Sequence, residues 1–199
     1  MKIIVLTLFV SLLPINSFGS FTKGNGGNIL VCSDNSSIVL DYYEMKELHG
    51  FTINKNLEIS RDFFLGIAKN IKSYDVELAQ SFIEEYNRIS GAKIFLDTDS
   101  LGTIDDVFDI FIPSNCDLAQ TIIQRNGKLL IHKSLFEGLS PLQQKILILH
   151  EAIYSMLLSK RKLNDSRPVR SLVALLISEN FYSMSVQELN VFFTKYNIK

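Results

Sequence analysis

His150 and Glu151 stand side by side in the stretch LILHEAIY, residues 147–154. On a helix, the pattern His-Glu-x-x-His puts two imidazoles one turn apart on a single face. Both then reach one zinc ion, and the glutamate lies beside the metal-bound water that it can deprotonate. Here the position of the second imidazole is held by Tyr154. A neutral phenol, with a pKa of about 10, is a poor zinc ligand, so the clamp loses one arm. The chain has three histidines in all, which leaves His49 and His132 as the only possible replacements. These residue types favour a buried, hydrogen-bonded His150–Glu151–Tyr154 cluster that needs no cofactor. The alternative is an atypical zinc hydrolase in which His150 and Tyr154 are joined by distant ligands such as His132 or Asp165, with Glu151 as the base.

A second group of polar residues follows at Asp165-Ser166, with Arg170 four positions after Ser166. Ser166 has the type of a helix N-cap, Asp165 favours the positive end of the helix, and Arg170 falls one turn inside it. If that helix folds back on the helix carrying His150, Arg170 can meet Glu151. A carboxylate among Ile and Leu side chains is costly without a partner, and a guanidinium is the donor fork that matches it. The sequence therefore predicts a buried Glu151–Arg170 pair, and hydrogen bonding of Tyr154 to His150 or Asp165. Two other motifs carry less. Residues 97–106, DTDSLGTIDD, imitate a calcium loop but have Leu101 at its fifth position and lead to Phe108 at its twelfth, where a bidentate glutamate belongs; they read as a solvated acidic loop. Gly24-Asn25-Gly26-Gly27 could cradle an anion with backbone N–H groups, but no Gly-Lys-Ser/Thr follows, so a segment laid closely along the domain is the simpler reading. No Gly-x-Ser-x-Gly supports serine hydrolysis.

The elements that must position these residues can be read from local signals. Residues 28–33 and 38–43 read as strands around an Asp-Asn-Ser-Ser turn. Ser60 and Asp75 cap two helices with apolar faces Phe64, Ile67, Ala68, Ile71 and Ala79, Phe82, Ile83, Tyr86; Gly91 sits where a left-handed glycine would end the second. Short strands are expected at 93–96 and 107–112. Asn126-Gly127 is a type I′ hairpin turn between strands 118–125 and 128–133. Ser140-Pro141-Leu142-Gln143 opens a helix to about residue 160. Residues 167–181 are helical again, and Ser185-Val186-Gln187-Glu188 caps a last helix to about 196. The fold class is α+β: a small mixed sheet with hairpins packed on helices.

The chain has 199 residues, 47% hydrophobic and 21% charged, with 20 basic against 21 acidic residues. That balance gives no electrostatic case for nucleic acid. Met1-Lys2, an apolar run from residue 3 to 13, and small residues at Ser17 and Gly19 form a signal peptide, residues 1–19. The run is too short for a membrane helix, which needs about 20 residues. Residues 20–199 then form one exported domain, periplasmic or secreted, with no transmembrane segment after cleavage. In an oxidising compartment the two cysteines, Cys32 and Cys116, allow one disulfide, worth about 4–5 kcal/mol for a loop of this length.

Taken together, LLIHKS followed by SPLQQKILILHE resembles the edge strand and active-site helix of zincin metallopeptidases. The GNGG start, the run Asn115-Cys116-Asp117-Leu118-Ala119-Gln120, the HEAIY helix and Asp165-Ser166-Arg167-Pro168-Val169-Arg170 also look like an uncharacterised family of small exported bacterial proteins. The resemblance implies a zincin-like fold whose active-site helix follows an edge strand, and an exported address. With Tyr154 in the ligand position, it implies a catalytically inactive domain that binds a protein or peptide partner or serves as a structural part.

Overall fold

The computed structural model describes residues 26–54, 57–72, 75–102, 112–160, 163 and 165–198. The signal-peptide reading of residues 1–19 and most of the strand expected at 107–112 lie outside them.

The chain enters the sheet with β1 (Gly26–Cys32) and turns back through Asn35, whose φ of 64° is one that asparagine tolerates. Asp34 closes the turn by accepting hydrogen bonds from the Ser36 amide and hydroxyl. The returning strand β2 is only Ser37–Val39, and residues 40–43, expected as its continuation, instead open helix α1 (Leu40–Glu47). The reason lies in what α1 buries. Its inward residues are Leu40, Asp41, Glu44 and Met45, at helical spacing, but two of the four are acids, so no apolar period announces the helix.

The next two helices follow their caps. Ser60 accepts from the Phe63 amide ahead of α2 (Arg61–Lys72), and Asp75 accepts from Leu78 ahead of α3 (Val76–Ser90). Gly91 ends α3 with φ −98°, in the right-handed region, so this stop does not use the left-handed conformation expected of it. Strands β3 (Lys93–Leu96), β4 (Cys116–Arg125) and β5 (Lys128–His132) complete the sheet. Asn126 and Gly127, both at positive φ (52° and 72°), make the β4–β5 hairpin turn as read from sequence. Then come α4 (Lys133–Glu137), α5 (Pro141–Lys160), α6 (Arg167–Leu176), α7 (Asn180–Ser183) and α8 (Val186–Lys195), the last with both halves of its Ser185/Glu188 capping box formed. Helix α6 stops five residues before the expected 181, because Ser178 leaves it to bridge Ile53.

The architecture is α+β, with strand order β2-β1-β4-β5-β3; β3 pairs parallel with β5 and the other neighbours are antiparallel. Strand β5, expected at the edge, is therefore an inner strand, because β3 covers its outer side. Helix α5 lies at the centre, against α1, α3, α6, β1 and β2. Its residues 146–149, 152, 153, 156 and 157 are all buried, as is every residue of α6 from Val169 to Leu176; such helices belong inside a core. The expected disulfide is present: Cys32 and Cys116 face each other across β1 and β4. No helix among the described residues is long and apolar enough to cross a membrane.

Candidate functional site

Because α5 is buried all round from residue 146 to residue 157, the polar side chains in that stretch have no solvent to turn to. His150 is 1% exposed and Glu151 is completely buried. Each is met by a residue from another element. The Asp41 carboxylate on α1 lies 2.8 Å from His150 Nδ1. Burial works against a proton on this imidazole, but the Asp41 carboxylate outweighs it and raises the His150 pKa above its ordinary value.

Glu151 is held from the sheet. Its Oε1 accepts the Gly27 N–H at 2.8 Å, and its Oε2 accepts from Gln124 Nε2 at 2.8 Å. The same Gln124 nitrogen also donates to the Glu151 backbone oxygen. Gln124 is in turn fixed by the Ser155 hydroxyl (2.5 Å), which accepts from Arg88 of α3. The Gly-rich stretch thus has a backbone N–H on an anion, and the anion is the protein's own carboxylate. A Cβ at Gly27 would come within 3.0 Å of Glu151 Oε1 and 3.1 Å of Leu147 Cδ2, so glycine is what lets β1 lie this close to α5.

Arg170 is not the partner of Glu151. Its Nε donates to Glu44 Oε2 at 2.8 Å, with both side chains at most 4% exposed, and its Nη1 donates to the Ser166 hydroxyl. The pairing expected from sequence is corrected for a simple reason: α1 lies on α6 and supplies an acid, while the carboxylate of Glu151 is already met by a backbone amide and Gln124. Ser166 occupies the N-cap position of α6, but its side chain makes no capping bond; its hydroxyl serves Arg170. Burial pushes the Glu44 carboxyl up to about 7 despite the Arg170 guanidinium, and burial likewise pushes Glu151 up to about 7 against the help of His150, Gln124 and Gly27. Asp41 Oδ2, Glu44 Oε1 and His150 Nε2 have no hydrogen-bond partner among the described residues, which adds to the cost of charge in this interior.

The remaining sequence candidates sit elsewhere. Asp165 faces Arg167: its Oδ1 accepts from the Arg167 amide and Nε and its Oδ2 from Nη2, and these hydrogen bonds lower its pKa. Asp165 does cap α6 and ion-pair, but with Arg167. His132 caps α4, its Nδ1 accepting from Leu135 with Ser134 Oγ 3.3 Å away. Tyr154 is buried, and the His150 and Asp165 side chains are engaged by Asp41 and Arg167. The structure thus gathers His150 and Glu151 with Asp41, Glu44, Gln124 and Gly27, and leaves His132 and Asp165 to local roles. Among the described residues no group of three or more His, Cys, Asp or Glu could hold a metal ion. Sequence reasoning missed Asp41, Glu44 and Gln124. An Asp and a Glu three apart between Leu40 and Met45 was a usable signal for the first two; nothing local marks Gln124.

Comparison with protein-family models, with curated proteins and with solved structures gave no match.

Proposed function

We propose that the chain is an exported, non-catalytic domain with a zincin-like helix, which binds a protein or peptide partner or serves as a structural part of the envelope or secretome. One observation carries the reading: the two residues that would do the chemistry are buried and used inside the fold. Glu151 has both oxygens engaged by Gly27 and Gln124 and is completely buried, so neither oxygen faces solvent. His150 is engaged by Asp41 and reaches no solvent. The apolar leader and the Cys32–Cys116 bridge support an exported address in the periplasm or outside the cell.

One observation favours the rival reading, the zinc hydrolase. A carboxylate on Nδ1 with Nε2 left over is the arrangement that orients a metal-ligating histidine, and Asp41 gives His150 that arrangement. Elemental analysis of the exported protein, purified without chelator, separates the two. The proposal expects no stoichiometric zinc. Zinc at one per chain that disappears in His150→Ala overturns it.

A further inference from the structure

The disulfide lies at a corner of the sheet, not in the core. Cys32 ends β1 and Cys116 begins β4, so the bridge closes the last rung of the ladder that these strands share. Both cysteines are partly exposed, with the exposed turn 33–36 on one side and exposed Ser114, Asn115 and Asp117 on the other. The rung is a non-hydrogen-bonded one, since the Ser33 amide donates to the Asn115 oxygen just beyond it at 2.9 Å. Unbridged residues at such a rung stand about 4.5 Å apart between Cα atoms, and a disulfide ordinarily spans about 4.4–6.8 Å. Here the two Cα atoms are 3.9 Å apart. The backbone at this rung is therefore drawn in closer than either the ladder or the bridge prefers. A bridge held off its preferred span is more easily reduced, and reducible, accessible bridges are the ones that serve as switches.

What the bridge holds is local. β1 and β4 are paired through their backbones along the rest of β1, and the far end of β1 is fixed by the bond from the Gly27 amide to Glu151. Opening the bridge lets the last rung relax without undoing the sheet. The part it frees is the β1–β2 hairpin: the turn through Asn35 and the three-residue strand β2, which lies at the edge of the sheet and runs straight into α1, the helix of Asp41 and Glu44. We propose that Cys32–Cys116 is a redox latch on this hairpin, opened in the folded protein by a protein dithiol of the Cys-x-x-Cys type. One thiolate of the dithiol attacks the sulfur of one cysteine and expels the other cysteine as a thiolate, which takes up a proton. The second thiolate of the dithiol then attacks the mixed disulfide at the partner's own sulfur. The partner leaves as a disulfide, and both cysteines of this chain are reduced, two electrons having passed. The same exchange in reverse closes the latch. This device goes beyond the non-catalytic reading and does not depend on it.

The test is reduction of the full exported chain, oxidised and without urea, by equimolar reduced thioredoxin as the probe dithiol. Alkylation and intact mass count the thiols, far-ultraviolet circular dichroism reports the fold, and hydrogen exchange followed by mass spectrometry reports local opening. Thioredoxin is expected to open at least about half of the bridges at equilibrium, where a permanent structural disulfide stays mostly closed. Reduction should raise exchange severalfold at residues 30–39, leave the amides of α5 at residues 146–157 as slow as before, and keep the circular dichroism spectrum. The proposal is overturned if a smaller fraction opens, if thiols appear only when urea unfolds the chain, if reduction abolishes the folded spectrum, or if exchange at residues 30–39 is unchanged. Zinc at His150 would overturn the non-catalytic reading and leave these readouts as they stand, so the two fail separately.

Discussion

Gly27→Ala tests the packing of the sheet on the central helix at its tightest point. Gly27 has no positive φ to protect; what restricts it is space. The added methyl would meet Glu151 Oε1 at 3.0 Å, Leu147 Cδ2 at 3.1 Å and Ile122 Cβ at 3.4 Å. The first two distances are tighter than nine in ten real Cβ contacts, so a neighbour must give way, and Glu151 is held by Gln124 from its other oxygen, so the carboxylate cannot simply swing away. Overpacking of this kind costs about 1–3 kcal/mol. Pushing β1 back also stretches the 2.8 Å bond from the Gly27 amide to a carboxylate, and a buried hydrogen bond to a charged group contributes about 1.5–3 kcal/mol. Against this, alanine restricts the unfolded chain and returns about 0.4–1 kcal/mol. The expected net loss is about 2–4 kcal/mol, a large fraction of the stability of a domain this size. Urea unfolding followed by far-ultraviolet circular dichroism, with the disulfide intact, measures it. Gly66→Ala is the control. It lies inside α2 with nothing within 4 Å of a built Cβ, and it should gain about 0.5–1 kcal/mol. Because the clash is with Glu151, Gly27→Ala should cost less in a Glu151→Ala background than alone. A Gly27→Ala protein within about 0.5 kcal/mol of the parent, the range of an ordinary surface change, would refute the argument.

Two further outcomes follow from the buried charges. Glu44→Gln leaves the Arg170 guanidinium buried without its carboxylate, since arginine does not shed its proton, and should cost about 3–5 kcal/mol in urea unfolding at pH 8 but less at pH 5, where the Glu44 carboxyl of the parent already holds a proton. Arg170→Met should be comparably severe at pH 8 but milder at pH 5, where Glu44 protonates; equal losses at the two pH values would contradict the assignment. For the parent protein, Glu44 and Glu151 have folded pKa values near 7 against 4.5 unfolded. The folded state therefore holds protons that the unfolded state has released. The stability this contributes is complete below about pH 4.5 and is lost as pH rises through about 7. His150, raised above 6.5 by Asp41, acts in the same direction, its share being present below 6.5 and lost as pH rises past its folded value. Unfolding free energy should fall from pH 5 to pH 8 by on the order of a few kcal/mol, and a flat or rising profile would count against the buried carboxyls being protonated.

What the sequence makes legible here is whatever its neighbours along the chain decide. Ser60, Asp75 and Ser185 take their capping bonds from amides three residues on. Asn126-Gly127 makes its turn from its own backbone preferences. Two cysteines in an oxidising compartment have one way to pair. Gly91 stops α3 at the expected place, though in a right-handed conformation. The inner position of β5 is of another kind, because it depends on β3 arriving from residues 93–96 to pair parallel with it, and no feature of LLIHKS records that.

The misassigned partner of Arg170 has the same origin as the misread strand. Residues 40–43, Leu-Asp-Tyr-Tyr, read as strand because two tyrosines follow Ile38 and Val39 in a β-prone run. Continued as a strand, the run would send Asp41 and Glu44 to opposite faces, and neither would look like a core residue. As a helix, it puts them three apart on one face, one opposite His150 and the other opposite Arg170. A pattern search for buried faces finds helices by their apolar residues, so a helix that turns two carboxylates inward is hidden by the residues that matter most. Without α1, Glu151 is the acid that charge alone assigns to Arg170. The interior then holds three acids, Asp41, Glu44 and Glu151, against His150 and Arg170. Fully ionised, that set carries a net negative charge in a place without solvent, which low-dielectric surroundings resist. Burial pushes two of these carboxyls up to about 7, the direction in which a proton on one of them would balance the set. The His-Glu pair that suggests a hydrolase in the sequence thus sits in a core of three acids and two bases, against a helix that the sequence conceals.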